Sequence, residues 1–323
     1  MAAFTAALLT LALVAGVQDF DPDYLATFSI IARDPATGEL GFAVQSKAFA
    51  AGNRAVHIQA GLGVIAHQAA ANPMYGEIGF DLLRAGYTPQ QALDMMLRSD
   101  EGRDSRQIAI LDAQGRSANW DGPGANDWKG HHCGVNYCAQ GNILVGPQVV
   151  DALATSFEAS SGRPIADRLM DALDAAQAAG GDARGVQSAA MIVTRALGGA
   201  GGFSDRVIDI RVDDSRKPLP DLRHLLNLYQ AGQLITEANR KLSAGDAAGA
   251  LQTATAARDK APDNDNAWVA LAGVHLKSGR KDDAIKALAQ AITLNEANKR
   301  QLPKNKTFKS IWSDPAFRTL VSP

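Results

Sequence analysis

The chain has 323 residues, 46% of them hydrophobic and 20% charged, with 32 Lys and Arg nearly balancing 34 Asp and Glu. That is the composition of an ordinary globular protein, and the length suggests two domains, the first large enough for a real core. A formal charge of −2 gives no general basis for nucleic-acid binding.

Residues 1–17 form the only long apolar run. The run is short for a membrane span, and polar sequence follows at Gln18-Asp19, so it reads as the core of a secretory signal. A periplasmic or secreted protein is expected. No Lys or Arg precedes the run, so a misassigned start codon and a cytoplasmic protein form the alternative. Signal peptidase favours small residues at −1 and −3. Val14 and Gly16 meet this rule better than Tyr24 and Ala26, which leaves residues 17–26 as a remnant.

Residues 25–33 and 39–47 read as two strands around the turn Asp34-Pro35-Ala36-Thr37-Gly38. Pairing Arg33 with Glu39 sets Thr27 opposite Gln45, with Lys47 diagonal on the same face, and sets Phe28 and Ile30 opposite Val44 and Phe42. A one-residue slip sets Ser46 opposite Thr27. Either register returns Ser46 and Lys47 to the end where Thr27 starts. A threonine that opens a strand behind a removable segment is a candidate N-terminal nucleophile. After a cut following Ala26, its α-amine, with a reference pKa of about 8, can act as base for its own hydroxyl. A lysine nearby would keep that amine neutral and stabilise developing negative charge. The residue types alone also fit a plain β-branched strand residue and a solvated lysine.

Further strands are expected near 62–67, 106–112, 115–120, 188–195 and 206–212. Thr88-Pro89-Gln90-Gln91 is a helix start, with a threonine cap, proline at the first position and glutamine at the third. Two more helices follow Pro147 and Pro164. Grouped strands and grouped helices exclude a doubly wound sheet. Cys133 and Cys138 lie beside His131 and His132, but their spacing matches no usual zinc pattern, and no metal site is assigned. A disulfide and two packed thiols both remain open. Gly134, Gly141 and Gly146 read as turn and bulge positions. The glycine cluster 198–202 lacks the Lys-Ser/Thr of a phosphate loop and reads as a flexible hairpin.

Residues 213–220 form a polar, proline-containing linker, and residues 222–229 a joining helix. Beyond it, Ala238, Leu242 and Gly245 recur 34 positions later as Ala272, Leu276 and Gly279. Ala250, Leu251 and Ala257 recur as Ala284, Ile285 and Ala291. This is the tetratricopeptide period. Two units bury little core alone, so the joining helix and residues 308–320 are expected to cap them. Such a module usually docks a peptide or protein; a packing appendage or dimer contact is the plainer reading. Residues 231–323 hold 14 Lys and Arg against 9 Asp and Glu, leaving 18 against 25 in the rest. That basic excess reads as a solvated tail.

Several ordered motifs carry a resemblance. They are Thr27-Phe-Ser-Ile-Ile-Ala-Arg-Asp-Pro, Gly41-Phe-Ala-Val-Gln-Ser-Lys47, Gly61-Leu-Gly-Val-Ile-Ala-His-Gln68 and Ala71-Asn-Pro-Met-Tyr-Gly76. Gly102-Arg-Asp-Ser-Arg-Gln107, Gln140-Gly-Asn142 and Gly202-Phe-Ser-Asp-Arg206 follow. Over residues 27–212 the chain resembles a bacterial and archaeal family called domain of unknown function 1028, regarded as similar to the N-terminal nucleophile hydrolases. The resemblance implies an α/β (α+β) four-layer αββα sandwich and, beyond that, an amide-bond hydrolase. It implies catalytic roles for Thr27, Lys47, Ser46 and Asn72, and substrate contacts for Gln68, Gln140, Asn142, Asp104 and Gln107. The sequence gives no cofactor requirement, and none is expected. Many relatives begin Met-Thr or carry a signal that ends just before the threonine; here Asp21-Pro22-Asp23-Tyr24-Leu25-Ala26 intervenes, so a second cut is needed.

The expected organisation is therefore a signal and propeptide over 1–26, the sandwich over 27–212, a linker and joining helix over 213–230, and helical repeats over 231–323. Two functions fit. One is an exported amidohydrolase acting on a peptide-like or cell-wall-derived small molecule. The other is a non-catalytic scaffold that uses the repeats to dock a protein. Broad apolar sheets also make a homodimer compatible with the sequence.

Overall fold

The structure is a computed structural model that describes residues 24, 25 and 27–322. The expected signal, most of the remnant and Ala26 lie outside the described residues. The strands are β1 (Tyr24–Leu25), β2 (Thr27–Arg33), β3 (Leu40–Ser46), β4 (Val56–Gln59), β5 (Gly63–Ala70), β6 (Arg106–Asp112), β7 (Ser117–Asp121), β8 (Gly130–Gly134), β9 (Tyr137–Asn142), β10 (Ser188–Thr194) and β11 (Arg206–Val212). The helices are α1 (Ala51–Arg54), α2 (Met74–Arg84), α3 (Pro89–Ser99), α4 (Gln148–Ala159), α5 (Ile165–Ala178), α6 (Pro218–Ser243), α7 (Ala247–Lys260), α8 (Asp265–Lys277), α9 (Lys281–Leu294), α10 (Asn298–Gln301) and α11 (Pro315–Val321).

The strands form two antiparallel sheets. One runs β1-β5-β6-β7, with β4 also paired to β5, and the other runs β11-β10-β3-β2-β9-β8. Because side chains alternate along a strand, β2 feeds two cores. Phe28 and Ile30 pack with Leu153, Phe157, Leu169 and Leu173 of α4 and α5, while Ile31 packs between the sheets with Phe42, Val44 and Val64. Ile65 and Ile108 on the far side of the first sheet meet Phe80, Leu93 and Met96 of α2 and α3. Three cores separate four layers, so the sandwich is α-β-β-α. The start of α3 carries the expected reciprocal cap: Thr88 Oγ1 accepts from Gln91 N at 3.2 Å, and Gln91 Oε1 accepts from Thr88 N at 2.9 Å.

The β2–β3 register is that of the one-residue alternative. Thr27 pairs with Ser46, Arg33 pairs with Leu40, and Phe28 and Ile30 face Gln45 and Ala43 rather than Val44 and Phe42. The turn sets this offset. Asp34 N bonds Glu39 O, Gly38 N bonds Asp34 O at φ 72°, and Asp34 Oδ1 accepts from Ala36 N, so Glu39 belongs to the loop. Strands β4, β8 and β9 and helix α2 lie beyond the elements expected from sequence. Gly141, expected at a turn, sits inside β9, where a Cβ would meet Leu144 Cδ1 at 2.5 Å. Cys133 and Cys138 face each other across β8 and β9 and are joined as a disulfide.

Helix α6 is continuous over 26 residues. Its first half places Leu219, Leu222 and Leu226 in the core beneath α4 and α5, and Arg223 pairs with Asp171 and Asp174. Its second half packs Ala238 with Ala250, Ala254, Leu271 and Val274. The expected boundary at residue 230 falls within this helix. Around α8 and α9, Ala272, Ala284 and Leu288 pack with Phe308, Ile311 and Phe317. Among the described residues no helix is long and apolar enough to cross a membrane.

Candidate functional site

Thr27 starts the central pair of strands in the second sheet, between Ser46 of β3 and Asn142 of β9. It is fully buried. Its Oγ1 donates to Ser46 Oγ at 3.2 Å, and Ser46 Oγ also accepts from Ala48 N at 3.0 Å. Lys47 follows directly. Its backbone N–H is held by Asp182 Oδ2 at 3.2 Å, and its Nζ reaches Val186 O at 3.4 Å. The lysine side chain thus leans toward the segment before β10.

A network of amides runs behind Thr27, where the two sheets face each other. Gln68 Nε2 donates to Thr27 O at 3.3 Å and to Gln107 Oε1 at 2.7 Å, and Gln68 Oε1 accepts from Ser29 Oγ at 2.9 Å. Gln107 is the hub. Its Oε1 also accepts from Asn142 Nδ2 at 3.0 Å, while its Nε2 donates to Gly141 O at 2.8 Å and to Asp121 Oδ1 at 2.7 Å. Asp121 Oδ2 in turn lies 2.6 Å from His131 Nδ1 at the surface. That hydrogen bond raises the His131 pKa against the opposing effect of burial. Asn142 Nδ2 has a second acceptor, Leu25 O at 3.2 Å. Among the described residues its buried Oδ1 has no hydrogen-bond partner.

Burying this many amides is costly unless each is bonded, and the register makes the bonding possible. Gln68 and Gln107 are cross-strand partners in the first sheet, and Thr27 and Asn142 are partners in the second. Two non-glycine residues in the left-handed region flank the network, Ala69 at φ 62° after Gln68 and Ile143 at φ 51° after Asn142. Such conformations gather where the surroundings over-determine the backbone, often at functional sites.

The residues singled out in the sequence are therefore brought together unequally. Thr27, Ser46, Gln68, Gln107 and Asn142 share one connected set of hydrogen bonds. Gln140 is buried in the same strand as Asn142, and its Oε1 accepts from Asn119 Nδ2 at 2.9 Å. Asn72 Oδ1 accepts from Met74 N at the start of α2, and Asn72 lines a cavity of about 110 Å³ with Tyr75, Met96 and Asp100. Asp104 is exposed in the turn before β6, beside Arg103. Ser29, Asp121 and Asp182 enter the site region without having been named as site residues, and His131, weighed in the sequence only as a metal ligand, enters it through Asp121. Ser29 could have been found from its two-residue spacing to Thr27, which puts both on one face of β2.

Residues 27–222 match the family described as a family of unknown function, DUF1028. The chain belongs to this family. A crystal structure of the DUF1028 protein SPO2555 from Silicibacter pomeroyi is similar, with 32% identity and a TM-score of 0.57 over 62% of this chain and 84% of that one. Residues 241–300 match the tetratricopeptide repeat. No curated protein matches the chain. In this DUF1028 chain the matched segment begins at Thr27 itself, so Tyr24 and Leu25 stand outside the family's span yet are built into its sheet.

Among the described residues no group of three or more His, Cys, Asp or Glu is arranged to hold a metal ion.

Proposed function

We propose that the chain is the precursor of an exported N-terminal-nucleophile amidohydrolase, which acts on an amide bond of a peptide-like or cell-wall-derived small molecule once Thr27 is freed. The observation that carries the reading is the Thr27 hydroxyl, hydrogen-bonded to Ser46 at the head of a central strand whose flanks are fixed by buried amides.

In the freed chain the Thr27 α-amine takes the Oγ1 proton, and Oγ1 adds to the amide carbonyl of the substrate. A donor of the 140–142 segment, which lies beside Thr27 across the β2–β9 ladder, is assigned to the developing oxyanion. The C–N bond breaks, and the leaving amine takes the proton from the α-ammonium. The acyl group remains on Thr27 as an ester. Water then gives its proton to the α-amine and adds to the ester, the C–O bond breaks as the α-ammonium returns that proton to Thr27 Oγ1, and the acid leaves. Lys47 lends positive charge at this end of the sheet, and Asn72 lines the cavity it shares with Tyr75, Met96 and Asp100. No cofactor enters these steps. The repeats fit a protein-docking role, since helical repeats of this kind usually offer an extended binding face.

A second reading is favoured by one fact: with residues 24 and 25 in place Thr27 is fully buried, as in a scaffold that never matures. One experiment separates the two. A β-lactone acylating inhibitor is applied to chains that start at residue 27, with Thr27 or Thr27→Ala, and the intact mass is measured. A single adduct on the first and none on the second is expected. Equal labelling removes the nucleophile, as does turnover by native material that retains residues 17–26.

A further inference from the structure

Strand β1 is short, but it is well held. Tyr24 and Leu25 pair antiparallel with Ala70 and Ala69 on the edge of β5. Leu25 is 1% exposed and belongs to the core between the sheets, with Ile31, Val44 and Ala66. Its carbonyl oxygen takes the Asn142 amide. An extended segment thus adds a strand to a free sheet edge, with the backbone supplying affinity and one side-chain pocket supplying selectivity.

The position in the chain gives this contact its meaning. When the bond after residue 26 is cut, residues 24–26 are the acyl side of the amide, and Leu25 stands one residue before the scissile carbonyl. A substrate attacked by the same Thr27 oxygen must bring its own acyl side to the same place. We infer that the slot filled by Tyr24 and Leu25 is the acyl subsite of the mature protein, and that it takes an extended peptide-like acyl chain with a leucine-sized apolar side chain one residue before the cleaved carbonyl. The inference rests on the Thr27 reading and adds the substrate class to it. Two further features fit the slot. Asn142 Oδ1, which has no partner among the described residues, is a buried acceptor for an amide N–H brought in by a ligand. The left-handed Ala69 turns the edge of β5 where Leu25 pairs. A charged side chain in place of Leu25 would be stranded between two apolar sheets.

The test is a binding measurement and does not require turnover. Fluorescein-labelled Tyr-Leu-Ala amide and Tyr-Asp-Ala amide are titrated, by fluorescence polarisation, against the chain starting at residue 27 carrying Thr27→Ala, and against the uncut chain. The leucine peptide is expected to bind the shortened chain at least tenfold more tightly than the aspartate peptide. The uncut chain, whose slot is filled, is expected to bind neither. Because the shortened chain depends on a strand it has lost, uncut Leu25→Asp is titrated as well. Ejecting its own leader, it is expected to gain the leucine peptide. Equal binding of the two peptides, or binding by the uncut wild type as tight as by the shortened chain, overturns the subsite. Adduct formation at Thr27 without leucine preference removes the subsite and leaves the nucleophile. Leucine-selective binding without an adduct leaves the subsite and removes the nucleophile.

Discussion

Two interiors in this molecule are filled on opposite principles. At the head of β2 the space between the sheets holds Thr27, Ser29, Gln68, Gln107 and Asn142, all fully buried. In the repeats the buried positions are largely alanines, among them Ala238, Ala250, Ala254, Ala257, Ala272, Ala284 and Ala291. Alanine asks only for close approach, and a helix pair packed on alanines tolerates no excess volume. Buried amides ask for partners at fixed distances, and a sheet can supply those only if its register is fixed. The first interior therefore stores chemical information, and the second stores spacing.

The largest expected effect comes from acid. His67 in β5 is buried with neither ring nitrogen bonded among the described residues, and burial, aided by His57, lowers its pKa to about 3. Between pH 6.5 and 3 the unfolded chain binds a proton that the folded chain refuses. Stability is therefore flat above that window and falls through it as pH drops, by on the order of 4 kcal/mol for this group. The repeats carry His275, lowered mainly by burial but partly exposed, so their acid loss is expected to be smaller. Urea titrations across this range, with His67→Phe flattening the acid limb of the sandwich transition, check both statements. An unchanged acid limb in that variant would break the comparison.

Next comes the hub. Gln107→Leu leaves Gly141 O, Asn142 and Gln68 short of a partner and is expected to cost about 3 kcal/mol, read as a lower urea midpoint of the sandwich. The smallest effect is expected in the repeats. Ala284→Leu overfills the contact between α8 and α9 and costs about 2 kcal/mol. Amide exchange is expected to rise in the repeat helices, with β2 and β9 unchanged. Loss of protection at Thr27 in that variant would mean the two interiors are not separate.

The same contrast explains what was legible beforehand. The repeats announce themselves because their small residues recur at a fixed period, as Ala238 with Ala272 and Ala250 with Ala284. Strands such as β2, β3 and β10 were readable because their apolar runs are nearly unbroken. Strand β9 was not, because Gln140, Gly141 and Asn142 have the composition of a turn, and only burial by a partner sheet makes them a strand. Thr27, Ser46 and Asn142 could be named from motifs, but their assembly depended on a register that a single loop residue, Glu39, decides. Asp121 and His131 join the network through strand neighbours far apart in sequence, and no local pattern marks that link. Helix α2 was lost behind Pro73, since Gly76 and Gly79 dilute its apolar face.

Helix α6 serves both interiors without a break. A helix turns about 100° and rises about 1.5 Å per residue, so a single inserted residue near Gly232 would swing the repeats a quarter-circle around the shaft while moving them hardly at all along it. The bearing of the repeats relative to the sandwich is thus written in whole residues, and a length polymorphism there would re-aim whatever face the repeats present.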